Sequence, residues 1–221
     1  MLEGIKTIFW DCDGTMWFYK GNESDFFAKV FEIKEKEELR EQFFKMAWEI
    51  PIKMRNEIVT YDKIAKVISE EMPILSFYNV TGMQFLDTWS KCGSGFGIPN
   101  PDTIEVLKYC SKKGIKNIVE SDWMYSVQLC KLKAYGMLDY IEEIHGCEYR
   151  YMKSNPKRTY KMSEDTKKSS IIIGDSLTSD IAFGNHAGIT SIWFNPKGKK
   201  NESEFLPDFE ITSLLEVMEI I

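Results

Sequence analysis

The hydrophobic positions of the chain follow two different patterns, continuous short runs and helical spacing. Short apolar runs are typical of strands buried on both faces of a parallel sheet. Such runs occur at 5–10, 115–119, 170–174 and 190–194. Segments between them carry apolar residues at helical spacing, and strands that alternate with helices predict a parallel sheet built from right-handed crossovers. A polar, basic stretch at 156–162 predicts a short helix, and 209–221 predicts one more strand and helix.

In a long stretch after the first predicted strand, the apolar residues show only helical spacing. Amphipathic helices are predicted at 30–50, 60–72 and 81–92. The segment "GSGFGIPNP" at 93–101 then predicts a linker and hinge, because glycine and proline interrupt regular structure. The sequence therefore predicts an α/β fold with a Rossmann-like parallel sheet core. This core comprises residues 1–20 and 93–221, and an α-helical cap of residues 21–92 is inserted after the first strand.

Composition narrows the class of protein. The 221 residues, 43% hydrophobic and 28% charged, suit a globular chain with one core or a core with an inserted subdomain. A net charge of −6 argues against binding to nucleic-acid polymers. No apolar run reaches the roughly 20 residues of a membrane span, and the first residues lack a signal-peptide pattern, so we expect a cytoplasmic protein without a membrane partner. Five scattered cysteines without a CxxC motif indicate reduced thiols.

The first predicted strand ends on the motif "DCDGT", which places Asp11 and Asp13 at its carboxyl end. A calcium loop beginning at Asp11 is excluded, because Met16 stands where glycine is needed and Asn22 where a bidentate glutamate is needed. Two interpretations remain for this motif taken alone. It is either an exposed aspartate turn or part of an active site.

A second acidic motif, "GDSLTSD", follows the apolar run at 170–174. It brings Asp175 to another strand end and Asp180 to the start of the next predicted helix. Carboxylates gathered from two strand ends repel each other unless a cation lies between them, and Mg²⁺ prefers oxygen ligands. The two motifs together therefore predict a Mg²⁺ site.

Two further polar residues complete the pattern. Ser121 follows the strand predicted at 115–119 and has a hydroxyl that can donate to a phosphate oxygen, and Lys153 is a cation that can neutralise phosphate. Taken alone, a serine or a lysine at such a position is more often an ordinary surface residue. Because ligands bind at the carboxyl ends of parallel strands, we expect Ser121 to lie near the aspartates.

The order DxDGT, serine, lysine and GDxxxxD resembles the four motifs of the haloacid dehalogenase superfamily. The motif spacing and the helical insertion are similar to its phosphatases with a small helical cap, and residues 175–196 are most similar to nucleoside 5′-monophosphatases. Two positions depart from the family pattern. Asp122 stands where asparagine is usual, and Ser154 rather than proline follows Lys153, which leaves Lys157 as a competing motif lysine.

The resemblance implies a role for each matched residue. Asp11 would be the nucleophile that forms an aspartyl-phosphate, and Asp13 would be the general acid and base. The Mg²⁺ ligands would be the Asp11 and Asp175 carboxylates and the Asp13 backbone carbonyl, with Asp180 supporting them from outside. The presence of Asp13 argues against a dehalogenase, which lacks a second aspartate.

The residues that would bind phosphate are Ser121, Asp122 and Lys153. Trp17 and Tyr19 are candidates to contact a substrate, although aromatic residues beside a hinge also pack internally. Trp48 and Arg55 are assigned to a cap loop, with either a substrate-facing or a structural role.

The sequence thus predicts a Mg²⁺-dependent phosphatase acting on a small phosphorylated metabolite, with a lean toward nucleoside monophosphates. The alternatives are a sugar-phosphate phosphatase and a non-catalytic binding or regulatory protein on the same fold. Either a monomer or a homodimer is compatible with the sequence.

Overall fold

The computed structural model of the protein describes residues 1–159 and 162–221. The predicted basic helix at 156–162 therefore lies partly outside the described residues. Its described part is the short 3₁₀ helix Pro156–Arg158.

The strands form a parallel sheet and a small ribbon. They are β1 Thr7–Trp10, β2 Trp17–Tyr19, β3 Gly97–Pro99, β4 Lys116–Glu120, β5 Glu143–His145, β6 Ser170–Gly174, β7 Thr190–Phe194 and β8 Phe209–Ile211. Among the described residues the large sheet has six strands in the order β5-β4-β1-β6-β7-β8, and every pairing in it is parallel. The chain moves outward from β1 first on one side and then on the other, so the strand order reverses at β1.

The helices of the described residues cover both faces of the sheet and fill the segment between β2 and β3. They are α1 Glu23–Val30, α2 Lys36–Met54, α3 Tyr61–Glu71, α4 Ile74–Phe77, α5 Gly82–Cys92, α6 Thr103–Lys112, α7 Tyr125–Ala134, α8 Glu164–Lys168, α9 Ala182–Ala187 and α10 Val217–Ile220. A π-helical turn, Leu177–Ile181, leads into α9. The predicted α/β fold with a parallel sheet is confirmed. No helix in the described ranges has the length and apolarity needed to cross a bilayer.

The sheet is buried on both faces, as its apolar runs predict. Ile8 and Trp10 pack with Leu107 of α6 on one face, whereas Phe9 packs with Phe183 of α9 on the other. Successive residues of a strand point to opposite faces, so a strand covered on both sides must be apolar at every position.

Helices α1 to α5 enclose a second core of their own. Phe27, Phe43, Phe85 and Trp89 meet there, and the ring centroids of Phe27 and Phe85 lie 4.0 Å apart. Met124 at the start of α7 joins this second core, so the helical segment also packs against the sheet domain. The division into a core of 1–20 and 93–221 and a cap of 21–92 stays a prediction.

Two local predictions were wrong. The helix predicted over 30–50 is divided between α1 and α2, and Glu32 between them has a positive φ of 56°. The predicted linker at 93–101 contains a 3₁₀ helix and β3, which pairs antiparallel with β2. Gly97 is required in this ribbon, since a Cβ there would lie 2.2 Å from the Phe18 carbonyl oxygen. Strands of three residues carry too little pattern to be recognised, and their partners are far apart in sequence.

Candidate active site

The carboxyl edge of the sheet brings the motif residues together. β1, β4 and β6 are adjacent, and Asp11, Ser121 and Asp175 each follow directly after one of them. The Asp11 amide still belongs to the sheet ladder, because it donates to the Ile173 carbonyl oxygen at 2.9 Å. The backbone is therefore held rigidly up to the residue at which the chemistry is expected.

Three carboxylates converge at this edge. Asp11, Asp175 and Asp180 each offer an oxygen, and these oxygens lie within 4.8 Å of one another. The site is tightly closed around them, because a Cβ on Gly14 would lie 2.6 Å from the Asp175 carboxylate. Gly14 also has a φ of +94°, which glycine tolerates best.

Burial and mutual repulsion disfavour the charged forms of these acids. The pKa of Asp11 is raised by burial and by Asp180, which together outweigh the attraction of Lys153. Burial, with Asp11 nearby, raises the pKa of Asp175 to about 7, and burial raises that of Asp180. An all-oxygen donor set with excess negative charge fits a hard divalent cation such as Mg²⁺.

Lys153 lies inside this acidic cluster and is almost completely buried. Its ammonium nitrogen donates to Asp11 Oδ1 at 2.6 Å and to Asp180 Oδ1 at 2.5 Å. Burial lowers the pKa of Lys153, but the two aspartates raise it by more, so the lysine stays charged. Lys157, the competing candidate, is exposed and lies over the Tyr151 ring, with its Nζ 5.4 Å from the ring centroid. The structure thus brings Lys153, and not Lys157, to the aspartates.

Ser121 and Asp122 lie beside the carboxylates but differ in orientation. The Ser121 hydroxyl oxygen accepts from the Trp123 amide at 2.9 Å and from Gln128 at 2.8 Å, which leaves its proton available to donate. The Asp122 carboxylate instead accepts from the Lys153 amide at 2.7 Å and from the Ser179 hydroxyl at 2.8 Å. Asp122 therefore ties the lysine loop to the loop after β6.

Asp13 points away from the other carboxylates. Its Oδ1 accepts from Lys131 at 2.5 Å and its Oδ2 accepts from Gln128 at 2.6 Å. Burial raises the pKa of Asp13, but the Lys131 charge and these hydrogen bonds outweigh it and hold the pKa below its ordinary value. The predicted metal contact of Asp13 through its backbone carbonyl stays a prediction.

The sequence analysis missed Lys131 and Gln128. Both lie on α7, and both are completely buried next to Val127 and Leu132 on the same helix. Two polar residues on the apolar face of a helix were the available signal, since buried polar groups need partners.

A cavity of about 880 Å³ opens from the carboxylates toward the helical segment. One face of α2 forms its far wall with Phe44, Trp48, Pro51, Ile52 and Arg55. The assignment of Trp48 to a loop was wrong, since Trp48 lies within α2. Arg55 follows the last residue of α2 and begins the turn after it, as the loop assignment predicted. Trp48 is 75% exposed, which is unusual for so large an apolar side chain.

The two aromatic candidates after the first motif have different surroundings. Tyr19 lines the cavity, and its hydroxyl accepts from Lys131 at 3.0 Å. Trp17 is 1% exposed and packs edge-on against Tyr135, and it is not among the described residues that line the cavity. Trp17 and Tyr19 are two residues apart in β2 and lie on the same face of the ribbon, where the Lys131 ammonium approaches both rings. They differ in depth, since Trp17 at the start of the strand is buried and Tyr19 at its end is 41% exposed.

Comparison with known proteins agrees with this geometry. The haloacid dehalogenase-like hydrolase family matches residues 5–188, and the chain belongs to that family. It is similar to the pyrimidine 5′-nucleotidase PynA of Streptococcus pneumoniae, with 28% identity over 101 residues that cover 43% of each chain. It is also similar to the ribulose-1,5-bisphosphate 5-phosphatase of Halopiger xanaduensis, with 22% identity over 108 residues, 47% of this chain and 45% of the relative.

A solved structure resembles the chain over its whole described length. The HAD-hydrolase YfnB of Bacillus subtilis bound to magnesium superimposes with a TM-score of 0.75 and 18% identity, covering 99% of both chains. This likeness establishes the fold. The matched segments span less than half the length of the two curated relatives.

Proposed function

We propose that the protein is a Mg²⁺-dependent phosphatase that hydrolyses small phosphomonoesters through an aspartyl-phosphate on Asp11. The observation that carries the proposal is the buried contact between Lys153 and Asp11 at 2.6 Å, beside two more carboxylates and at the mouth of a large cavity. A nucleophile next to a fixed cation, with room for a substrate in front of it, is what phosphoryl transfer requires.

In this mechanism Asp11 attacks phosphorus in line and the bond to the leaving oxygen breaks. Lys153 and the Ser121 hydroxyl stabilise the charge that builds up on the phosphoryl oxygens. Asp13, whose lowered pKa would be raised by the negative charge of the bound phosphate, donates a proton to the leaving oxygen. It later takes a proton from the water that hydrolyses the aspartyl-phosphate. Gly14 leaves the space that the Asp175 carboxylate occupies.

The residues that would hold Mg²⁺ are Asp11 and Asp175, with Asp180 anchored between Lys153 and the Ser176 amide, which donates to it at 3.0 Å. When bound, the ion supplies positive charge for the phosphoryl oxygens and keeps the carboxylates ionised. The magnesium in the YfnB structure supports this part of the proposal.

We further propose nucleoside 5′-monophosphates as the favoured substrates. The cavity wall opposite the carboxylates is aromatic and apolar, with Phe44 and Trp48 on α2, and Trp123 adds a ring from the sheet side. Such a wall suits a planar base, since stacking needs only an aromatic face. The partial identity with a pyrimidine 5′-nucleotidase supports the same choice.

A sugar-phosphate phosphatase is the second candidate, supported by the similarity to the ribulose-1,5-bisphosphate 5-phosphatase. A sugar would meet few hydrogen-bonding groups on the wall that α2 provides, which is the reason for preferring a nucleotide. A non-catalytic binding protein is the third candidate. The buried Asp11–Lys153 ion pair argues against it. Burying two charges removes their hydration, so such a pair contributes little to the free energy of unfolding and is better explained by catalysis.

The test is Mg²⁺-dependent release of phosphate from a panel of nucleoside monophosphates, sugar phosphates and an activated aryl phosphate. We expect Asp11→Asn to lower the rate by about 10⁴-fold or more, because the nucleophile is lost. Asp139→Asn, an exposed aspartate in the same domain, is the matched control and should retain full activity. A wild-type protein inactive on every ester, with or without Mg²⁺, would favour the binding-protein alternative.

A further inference from the structure

Two neighbouring side chains of α7 hold the Asp13 carboxylate. Gln128 donates to one of its oxygens at 2.6 Å, and Lys131 donates to the other at 2.5 Å. Residues three apart on a helix lie on one face, so a single rigid helix supplies both donors. The carboxylate is thereby fixed in both position and rotation.

Stability alone does not account for this arrangement. Lys131 is 0% exposed, and its described polar contacts are the Asp13 carboxylate and the Tyr19 hydroxyl. A buried ion pair is often no more stabilising than an apolar pair of the same size, because both charges lose their hydration. A leucine or methionine at position 131 would complete the apolar face of α7 equally well.

The same two residues connect Asp13 to the rest of the site. Gln128 also donates to Ser121 Oγ at 2.8 Å. The Gln128 amide therefore fixes the distance between the Asp13 carboxylate and the Ser121 hydroxyl, which is proposed to bind phosphate. Lys131 also donates to Tyr19 on β2, directly before the chain enters the helical segment. Asp13 is therefore held relative to both the phosphate position and the ribbon.

Resting on the proposed phosphatase function, we infer that Lys131 and Gln128 are positioning residues that aim the Asp13 carboxylate at the leaving oxygen. Neither side chain is among the described residues that line the cavity, so they act through Asp13 and not on the substrate. Small displacements of a proton donor are costly, since proton transfer needs hydrogen-bond distance.

The test compares leaving groups. kcat/KM covers only the steps up to departure of the leaving group, so it reports on proton donation and not on the later attack of water. Lys131→Met should lower kcat/KM about 100-fold for a nucleoside monophosphate, whose alkoxide leaving group needs the proton. It should change kcat/KM less than about fivefold for 2,4-dinitrophenyl phosphate, whose leaving group departs without one.

Three variants make the result specific. Lys133→Met, an exposed lysine on the same helix, should match the wild type on both substrates. Lys131→Arg, which keeps the charge and the donor, should recover most of the activity lost on the nucleotide. If Lys131→Met does not fold, Gln128→Met, which removes the other donor, is judged by the same comparison of leaving groups.

The possible results distinguish a failure of the positioning role from a failure of the proposed phosphatase function. An equal loss on both substrates, or no loss on either, overturns the positioning role and leaves the phosphatase proposal standing. A wild-type protein without phosphatase activity removes the proposed function, and this inference with it.

Discussion

The two sides of the cavity differ in polarity: the sheet side is charged and the α2 side is apolar. The sheet edge gathers Asp11, Asp175, Asp180 and Lys153, which are mostly buried, and Lys153 donates to both Asp11 and Asp180. The α2 face opposite is apolar, and its Trp48 is largely exposed. Charges on the sheet side are held in place by the fold, whereas the helix side presents large apolar side chains that are half exposed or more, such as Phe44, Trp48 and Ile52.

This contrast separates reaction from recognition. A buried charge network resists rearrangement and keeps the reacting groups in register, as electrostatic catalysis requires. An exposed aromatic face on another element is free to contact whatever the phosphate is attached to. We therefore expect substitutions of the nucleophile and the other three residues of the buried cluster to affect all substrates alike, and substitutions on α2 to discriminate between substrates.

After the loss of the nucleophile itself, the largest effect should come from the lysine at the sheet edge. Lys153→Met should lower kcat/KM about 10³-fold for every substrate, or about 4 kcal/mol, because it removes the fixed cation beside the nucleophile. Lys157→Met is the matched control and should stay within about twofold of wild type. If Lys157→Met lost activity and Lys153→Met did not, Lys157 would be the motif lysine.

The second effect is the response of stability to pH and Mg²⁺. Asp175 has a folded pKa of about 7 against an ordinary 3.8. Between these values the metal-free native state binds more protons than the unfolded state, so the free energy of unfolding falls as pH rises. Mg²⁺ at about 100 times its Kd should add about 2.7 kcal/mol, or roughly 5–10 °C in Tm.

The increase in Tm should be larger at about pH 8 than at about pH 5, because the ion competes with protons for the carboxylates. Scanning calorimetry with Mg²⁺ or a chelator measures it, and Asp175→Asn should abolish most of the increase. An increase that is independent of pH would contradict the assignment of these acids as ligands.

The third effect tests the α2 side. Trp48→Ala should lower kcat/KM for nucleoside monophosphates about tenfold, or about 1.4 kcal/mol, through lost stacking. The same variant should leave a small sugar phosphate nearly unchanged. Phe77→Ala removes an equally exposed ring far from the cavity lining and is the control. Equal losses of kcat/KM on both substrates would contradict the expectation that α2 discriminates between substrates.

The smallest effect concerns Asp122. Asp122→Asn can still accept the Lys153 amide hydrogen bond, and it removes a negative charge from the cavity lining. We expect KM to fall about two- to fivefold, with kcat unchanged, because a dianionic substrate is repelled less. A large fall in kcat would instead mean that the Asp122 contact with Ser179 is needed to hold the loop.

The parallel sheet and the family membership follow from local features of the sequence. An apolar run buried on both faces and a carboxylate at its end are local features, and parallel strands bring their carboxyl ends to one edge. The convergence of Asp11 and Asp175 could therefore be predicted from short segments, although their roles in catalysis and metal binding stay predictions.

The groups that surround these residues depend on long-range packing, which short segments do not reveal. Lys131 meets Asp13 across 118 positions of sequence, and Trp17 meets Pro99 in the ribbon. In the sequence, Lys131 is one of two lysines on α7, and its place beside Val127 and Leu132 does not say which carboxylate it meets. Long-range packing selects its partner, as it also turns Trp48 of α2 toward the cavity and buries Trp17.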